Sequence, residues 1–170
     1  AYSAKADYRQ DTDYGLMSLV AYYNGFNEDL DFAKVNVGLP AVDSDNDLIV
    51  LKGELLKKLN SDHTVRVATE YRRNNVSSTI TDSNELHNLY YDVYSLSGMW
   101  DWQATPKLSW TNSVRYDHLK LGRDDDVDAA ITAAPVSNGL NKESYSRRLD
   151  EISFNSGLLY KATEKDTIKA

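Results

Sequence analysis

The chain of 170 residues carries 19 Lys and Arg against 26 Asp and Glu, a formal net charge of -7. This length suits one domain, and the acidic balance argues against a nucleic-acid partner, because neutralising phosphates needs a basic surface. With no cysteine in the chain, disulfides, zinc–thiolate sites and thiol catalysis are excluded.

No run of about 18 apolar residues offers a transmembrane helix, and the opening "AYSAKADYRQDTDYG" lacks a signal-peptide layout. The chain therefore reads either as soluble or as a mature or excised piece of something exported. Aromatic usage is skewed, with 12 Tyr and 3 Trp against 3 Phe. Rings with an apolar body and a polar tip suit boundaries between wet and dry.

In chain order, the first element is a hairpin over about 2–26, "YSAKADYR", the turn "QDTD" and "YGLMSLVAYYNGF". A long polar connection over about 27–47 follows and ends in "DSDND", Asp43 to Asp47. The second hairpin covers about 48–73, with "LIVLKGELLKKL", the turn "NSDH" and "TVRVATEYRR". There Val65, Val67, Thr69 and Tyr71 alternate with Arg66, Ala68, Glu70 and Arg72, and successive strand side chains point to opposite faces.

After a loop at about 74–89, the third hairpin covers about 90–121 and holds all three tryptophans. One face reads Tyr94, Leu96, Gly98, Trp100, Trp102 and then Trp110, Asn112, Val114, Tyr116; the other reads Ser95, Ser97, Met99 and then Ser113, Arg115, Asp117. Pro106 fixes the "QATPK" turn between them. A third long loop at about 122–150 contains "RDDDVD", and a fourth hairpin at about 151–170 closes the chain.

The expected fold class is all-β, an antiparallel up-and-down meander of about eight strands within a single unit over 1–170. Short turns alternate with connections several times longer. In a meander every second connection lies at the same end, so all short turns share one rim and all long loops the other. That is the layout of an outer-membrane barrel. The strand runs are about the 9–11 residues a spanning strand needs, or longer, and Trp100, Trp102 and Trp110 near the short-turn end with Tyr94 and Tyr116 toward the other predict two aromatic girdles. Alternation alone leaves open whether the apolar face meets lipid or a soluble core. The combination of strand length, one-sided loops and aromatic ends favours a transmembrane barrel in the bacterial outer membrane, with a lipid bilayer as partner. On that assignment Arg66, Glu70, Arg72, Arg115 and Asp117 face the lumen.

The segments "YSLSGMWDWQATPKLSWTNSVRYDHLKLG", "VLKGELLKKLNSDHTVRVATEYRRN" and "FNSGLLYKATEKDTIKA" resemble the barrel portion of a TonB-dependent outer-membrane receptor. The resemblance implies a barrel of about 22 strands around a plug, importing a scarce nutrient such as siderophore-bound iron, with TonB acting through the plug. No plug or TonB-contacting segment is recognisable in the chain, which reads as an internal segment of a larger barrel. The alternatives are a complete eight-stranded membrane barrel with a structural or adhesive role, and a soluble β-domain that binds a partner.

Candidate chemistry is sparse. "DSDND" with Glu54 has carboxylates at EF-hand spacing, but Leu48 stands where that loop needs Gly, so the stretch reads as an acidic loop tip. Asp124, Asp125 and Asp126 in "RDDDVD" are loop candidates for an outer-surface cation, with loop solvation the favoured reading. His63, His87 and His118 lack metal-ligand spacing. No catalytic constellation and no cofactor motif is discernible, so the expected protein is not an enzyme and carries no cofactor; its ligand is not named by the sequence.

Overall fold

The computed structural model describes residues 1–30, 42–78, 87–124 and 142–170. They form eight strands: β1 (Tyr2–Thr12), β2 (Gly15–Leu30), β3 (Val42–Lys58), β4 (His63–Ser78), β5 (His87–Thr105), β6 (Leu108–Arg123), β7 (Arg147–Lys161) and β8 (Thr167–Lys169), with a 3-10 turn at Lys142–Tyr145 before β7. All eight join one sheet in the order β1-β2-β3-β4-β5-β6-β7-β8, each antiparallel to its neighbour. The sequence-based expectation of an eight-stranded up-and-down meander is the observed fold.

The strands run further than side-chain alternation indicated. β2 continues to Leu30, β3 begins at Val42, β4 reaches Ser78, β5 begins at His87, β6 reaches Arg123 and β7 begins at Arg147. "DSDND" is therefore strand, not loop tip: Asp45 pairs with Asn27 and Asp47 with Gly25. These ends are polar on both faces, so the period-two signal fades there. The backbone ladder needs no side-chain pattern and continues. Asp125 and Asp126 lie outside the described residues.

A short side chain closes each of the short turns in the same way. Asn60 Oδ1 accepts the amides of Asp62 and His63, both at 2.9 Å. Thr105 Oγ1 accepts those of Lys107 and Leu108, and Thr163 Oγ1 those of Lys165 and Asp166. Thr12 Oγ1 accepts Tyr14 N and donates to the Gly15 carbonyl. In this first turn Gly15 has φ +132°, and a Cβ there would lie 2.4 Å from the Leu56 carbonyl oxygen, so glycine is required twice over. Local side-chain-to-backbone bonds of this kind favour turns over continued strand.

The sheet is a single layer. Val50 is its fully buried large side chain, whereas Leu96, Val114, Phe154, Ile152 and many other apolar residues are exposed. The chain exposes 12049 Å², against about 8,400 Å² for a compact monomer of this mass. A sheet in water has to bury its apolar face against a second layer, and none covers this one among the described residues.

Candidate functional site

Cross-strand partners share a face, so the register sorts every strand residue. On one face, from the short-turn end outward, successive rows across β4 to β7 read Val65, Trp100, Asn112, Ser156; Val67, Gly98, Val114, Phe154; Thr69, Leu96, Tyr116, Ile152; and Tyr71, Tyr94, His118, Asp150. This apolar face is bounded at each end by aromatics. At the short-turn end Trp102 pairs with Trp110; Trp100 stacks on Trp102 with ring centroids 5.9 Å apart; and His63 stacks on both, accepting at Nδ1 from Trp100 Nε1 at 3.1 Å. At the long-loop end Tyr71 packs against Tyr94 with centroids 5.0 Å apart, and the Tyr116 hydroxyl donates to Asp150. His118 lies within β6 with its Nδ1 2.7 Å from the same carboxylate.

The opposite face is charged. Arg66, Glu70, Arg72, Arg115 and Asp117 all lie on it, as the alternation predicted, and the register adds partners the sequence did not single out. Glu70 stands between Lys52 and Ser95, and Ser95 between Glu70 and Asp117. Lys52 Nζ lies 2.9 Å from one Glu70 oxygen and Arg72 Nη2 2.8 Å from the other, leaving the carboxylate side chain only 11% exposed. Arg115 Nε donates to both Asp117 oxygens at 3.0 and 2.8 Å, its Nη2 donates to Ser95 Oγ, and Ser95 Oγ donates to Asp117. Arg66 Nε is 3.5 Å from Glu54 across the ladder.

A depression of about 440 Å³ is floored by this face and lined by Glu54, Arg66, Ala68, Ser97 and Arg115, and a smaller one of about 190 Å³ adjoins it toward Lys52 and Glu70. Arg72 Nε is buried without a hydrogen-bond acceptor, and Arg66 Nε has only its long ion pair with Glu54. Buried donors left unmatched are costly, and here they line a surface rich in fixed charge. The arrangement can bind and orient polar groups. Among the described residues no group of three or more His, Cys, Asp or Glu is placed to hold a metal ion, and Asp124 lies exposed at the end of β6, away from this ladder.

Lys52 and Glu54 were missed because the middle of β3 is apolar on both sides: Val50 and Leu56 share their face, and Ile49, Leu51 and Leu55 the other. The signal that could have found them is the hairpin pairing of "LKGEL" with "RVATEYR", which sets Lys52 opposite Glu70.

No protein family and no curated protein matches the sequence. Among solved structures the fold does recur. The chain is similar to the copper transporter OprC, with a TM-score of 0.69 and 14% identity, covering 95% of this chain and 28% of that one. The sheet shares its fold with part of a transporter. At this identity the likeness concerns the fold alone, and the chain spans less than a third of the transporter's length. The sheet is a single layer among the described residues, apolar and aromatic-edged on one face and charged on the other. No helix among the described residues is long and apolar enough to cross a membrane, which has no bearing on crossing by strands.

Proposed function

We propose that the chain forms part of the wall of a bacterial outer-membrane β-barrel that transports a nutrient, with the apolar face toward lipid and the charged face toward the lumen. The observation that carries this reading is the ordered sequence of rows on the uncovered face: Trp belt, apolar rows, Tyr belt. From the Trp102–Trp110 row to the Tyr94–His118 row is eight residues along β5 and β6, about 27 Å along the strand. At a tilt of about 40° this is about 21 Å of height, close to the apolar band of about 25 Å that aromatic girdles flank in such barrels. In hydrocarbon every backbone group must be paired within the protein, a condition long paired strands of 15 to 19 residues meet.

The finer reading is a TonB-dependent receptor that imports a metal-bearing or other scarce ligand, with coupling through a plug domain. The resemblance of the strand and turn phrasing supports it, as does the charged face with its unmatched arginine donors, which suits contact with polar groups of a plug or of passing ligand. An open sheet, with β1 and β8 at its two ends, favours a larger barrel over a closed eight-stranded one.

The test is to fractionate the source cells with an antibody to this segment, record the mass of the native polypeptide, and measure ligand uptake with and without a proton uncoupler. A band several times 19.2 kDa in the outer membrane, with uptake lost on uncoupling, is expected. An outer-membrane band near 19.2 kDa would replace it with the small barrel, and a soluble band would overturn the membrane reading.

A further inference from the structure

One row beyond the tyrosine belt, at the long-loop end of the apolar face, the sheet places Arg73 on β4, Asp92 on β5, Lys120 on β6 and Arg148 on β7 in register. This row is cationic in a chain whose net charge is -7. Its carboxylate is already engaged: Asp92 is 5% exposed, accepts the Tyr71 hydroxyl at 2.9 Å and lies 3.9 Å from Arg73 Nη1. Tyr90, one row further out, lies between two cations, with the Arg73 guanidinium 5.1 Å and the Lys120 ammonium 5.6 Å from its ring centroid. The ring folds over Gly122, where a Cβ would fall 2.6 Å from the Tyr90 hydroxyl, so the glycine makes room for the ring that steers both cations.

Lys120 and Arg148 are direct cross-strand partners. Among the described residues neither has a carboxylate at salt-bridge distance; of the nearby carboxylates Asp150 is engaged by Tyr116 and His118, Asp92 by Tyr71 and Arg73, and Asp124 acts on Arg73. Two like charges directly opposite on an antiparallel ladder destabilise it unless an anion lies between them. They stand where the apolar face ends, at the depth of lipid headgroups if that face meets lipid.

We infer that Lys120 and Arg148, flanked by Arg73 and Tyr90, form an outward-facing site for the phosphate of an anionic lipid headgroup in the leaflet on the long-loop side. The inference rests on the membrane orientation proposed above. The two cations stand on paired positions of β6 and β7, where one phosphate can bridge them. The Tyr90 ring lies against the Lys120 ammonium, and the apolar rows beneath receive the acyl chains. Basic residues at a membrane surface attract anionic lipid in this way.

The test uses the full-length protein folded into phosphatidylcholine vesicles containing phosphatidylglycerol, extracted into mild detergent and weighed by native mass spectrometry. Wild type is expected to retain phosphatidylglycerol in preference to phosphatidylcholine. Lys120→Gln with Arg148→Gln is expected to lower that preference about 30-fold, as two lost surface attractions imply. The swap Lys120→Arg with Arg148→Lys keeps it, and Arg66→Gln on the charged face leaves it unchanged. Retention undiminished in the double variant overturns the site, as does loss of retention in the charge-keeping swap, which also decides the matter if the double variant does not fold. Displacement of the lipid by millimolar inorganic phosphate would mean a site for free anion, overturning the lipid assignment. Failure of wild type to enter vesicles at all would instead overturn the membrane orientation, whereas insertion without lipid preference would overturn this site alone.

Discussion

Val67 and Ala68 are adjacent on β4 and point to opposite faces, so an arginine at each reports which face meets lipid. Val67 is 47% exposed on the apolar face, opposite Leu55 and Gly98. It sits one residue pair from the Trp100 row and two from the Tyr71–Tyr94 row, which places it about 5 Å in height from the nearer belt. Arg on the lipid face costs about 2–4 kcal/mol at the bilayer midplane and less toward the interface. The depth of Val67, within reach of the Trp belt by a snorkelling side chain, puts Val67→Arg at the lower end, about 2 kcal/mol, or about 30-fold in the folding equilibrium. Ala68→Arg enters the depression on the charged face directly opposite Glu54, where an exposed ion pair contributes about 0–1 kcal/mol. The assay is denaturant-dependent folding of the full-length protein into phosphatidylcholine vesicles, read as the shift in free energy for each variant. Equal tolerance of both arginines, or a larger loss for Ala68→Arg, would refute the facing assignment.

Gly15→Ala is expected to lower folding yield more than any alanine substitution in a strand interior, because it combines a positive φ with a contact on the Leu56 carbonyl; refolding yield measures it. Asn60→Ala removes the acceptor for two turn amides and is expected to cost about 1 kcal/mol, read from the same folding titration, with Asn60→Asp close to wild type. Glu70→Gln removes the carboxylate between Lys52 and Arg72 and leaves two neighbouring cations facing the proposed lumen. Barrel assembly should persist while uptake of an anionic ligand rises relative to a cationic one; unchanged selectivity would detach Glu70 from the transport path. Trp100→Ala with Trp110→Ala thins one belt and is expected to lower folding into vesicles by several-fold, with Trp100→Phe losing less; no loss would mean that the belt does not sit at an interface.

Much of this architecture was legible in one dimension. Period-two runs in "VRVATEYR" and "LSWTNSVRYD" assign Val67 and Trp110 to one face and Arg66 and Arg115 to the other without reference to a neighbour, because successive strand side chains alternate by geometry. The alternation of short and long connections fixed which ends share a rim, and the polar turn residues marked where the chain reverses. The polar strand ends were not legible: Asp43 to Asp47 carry no alternation, yet their backbone pairs because the ladder already begun by Leu48 to Lys58 extends across them.

Sequence by itself thus determined the strands, their faces and the order in which they reverse, since these depend on local stereochemistry and on spacing along the chain. Only the tertiary structure decided which residues meet across strands. The register sets Lys52 against Glu70, Ser95 against Asp117 and Lys120 against Arg148, although each pair lies 18 to 28 positions apart in sequence. A shift of one residue in any of these pairings would exchange the faces of the shifted strand and dissolve the pair it carries. The charged ladder and the cationic row are therefore properties of register, settled where turn geometry and the matching of apolar faces agree across the sheet.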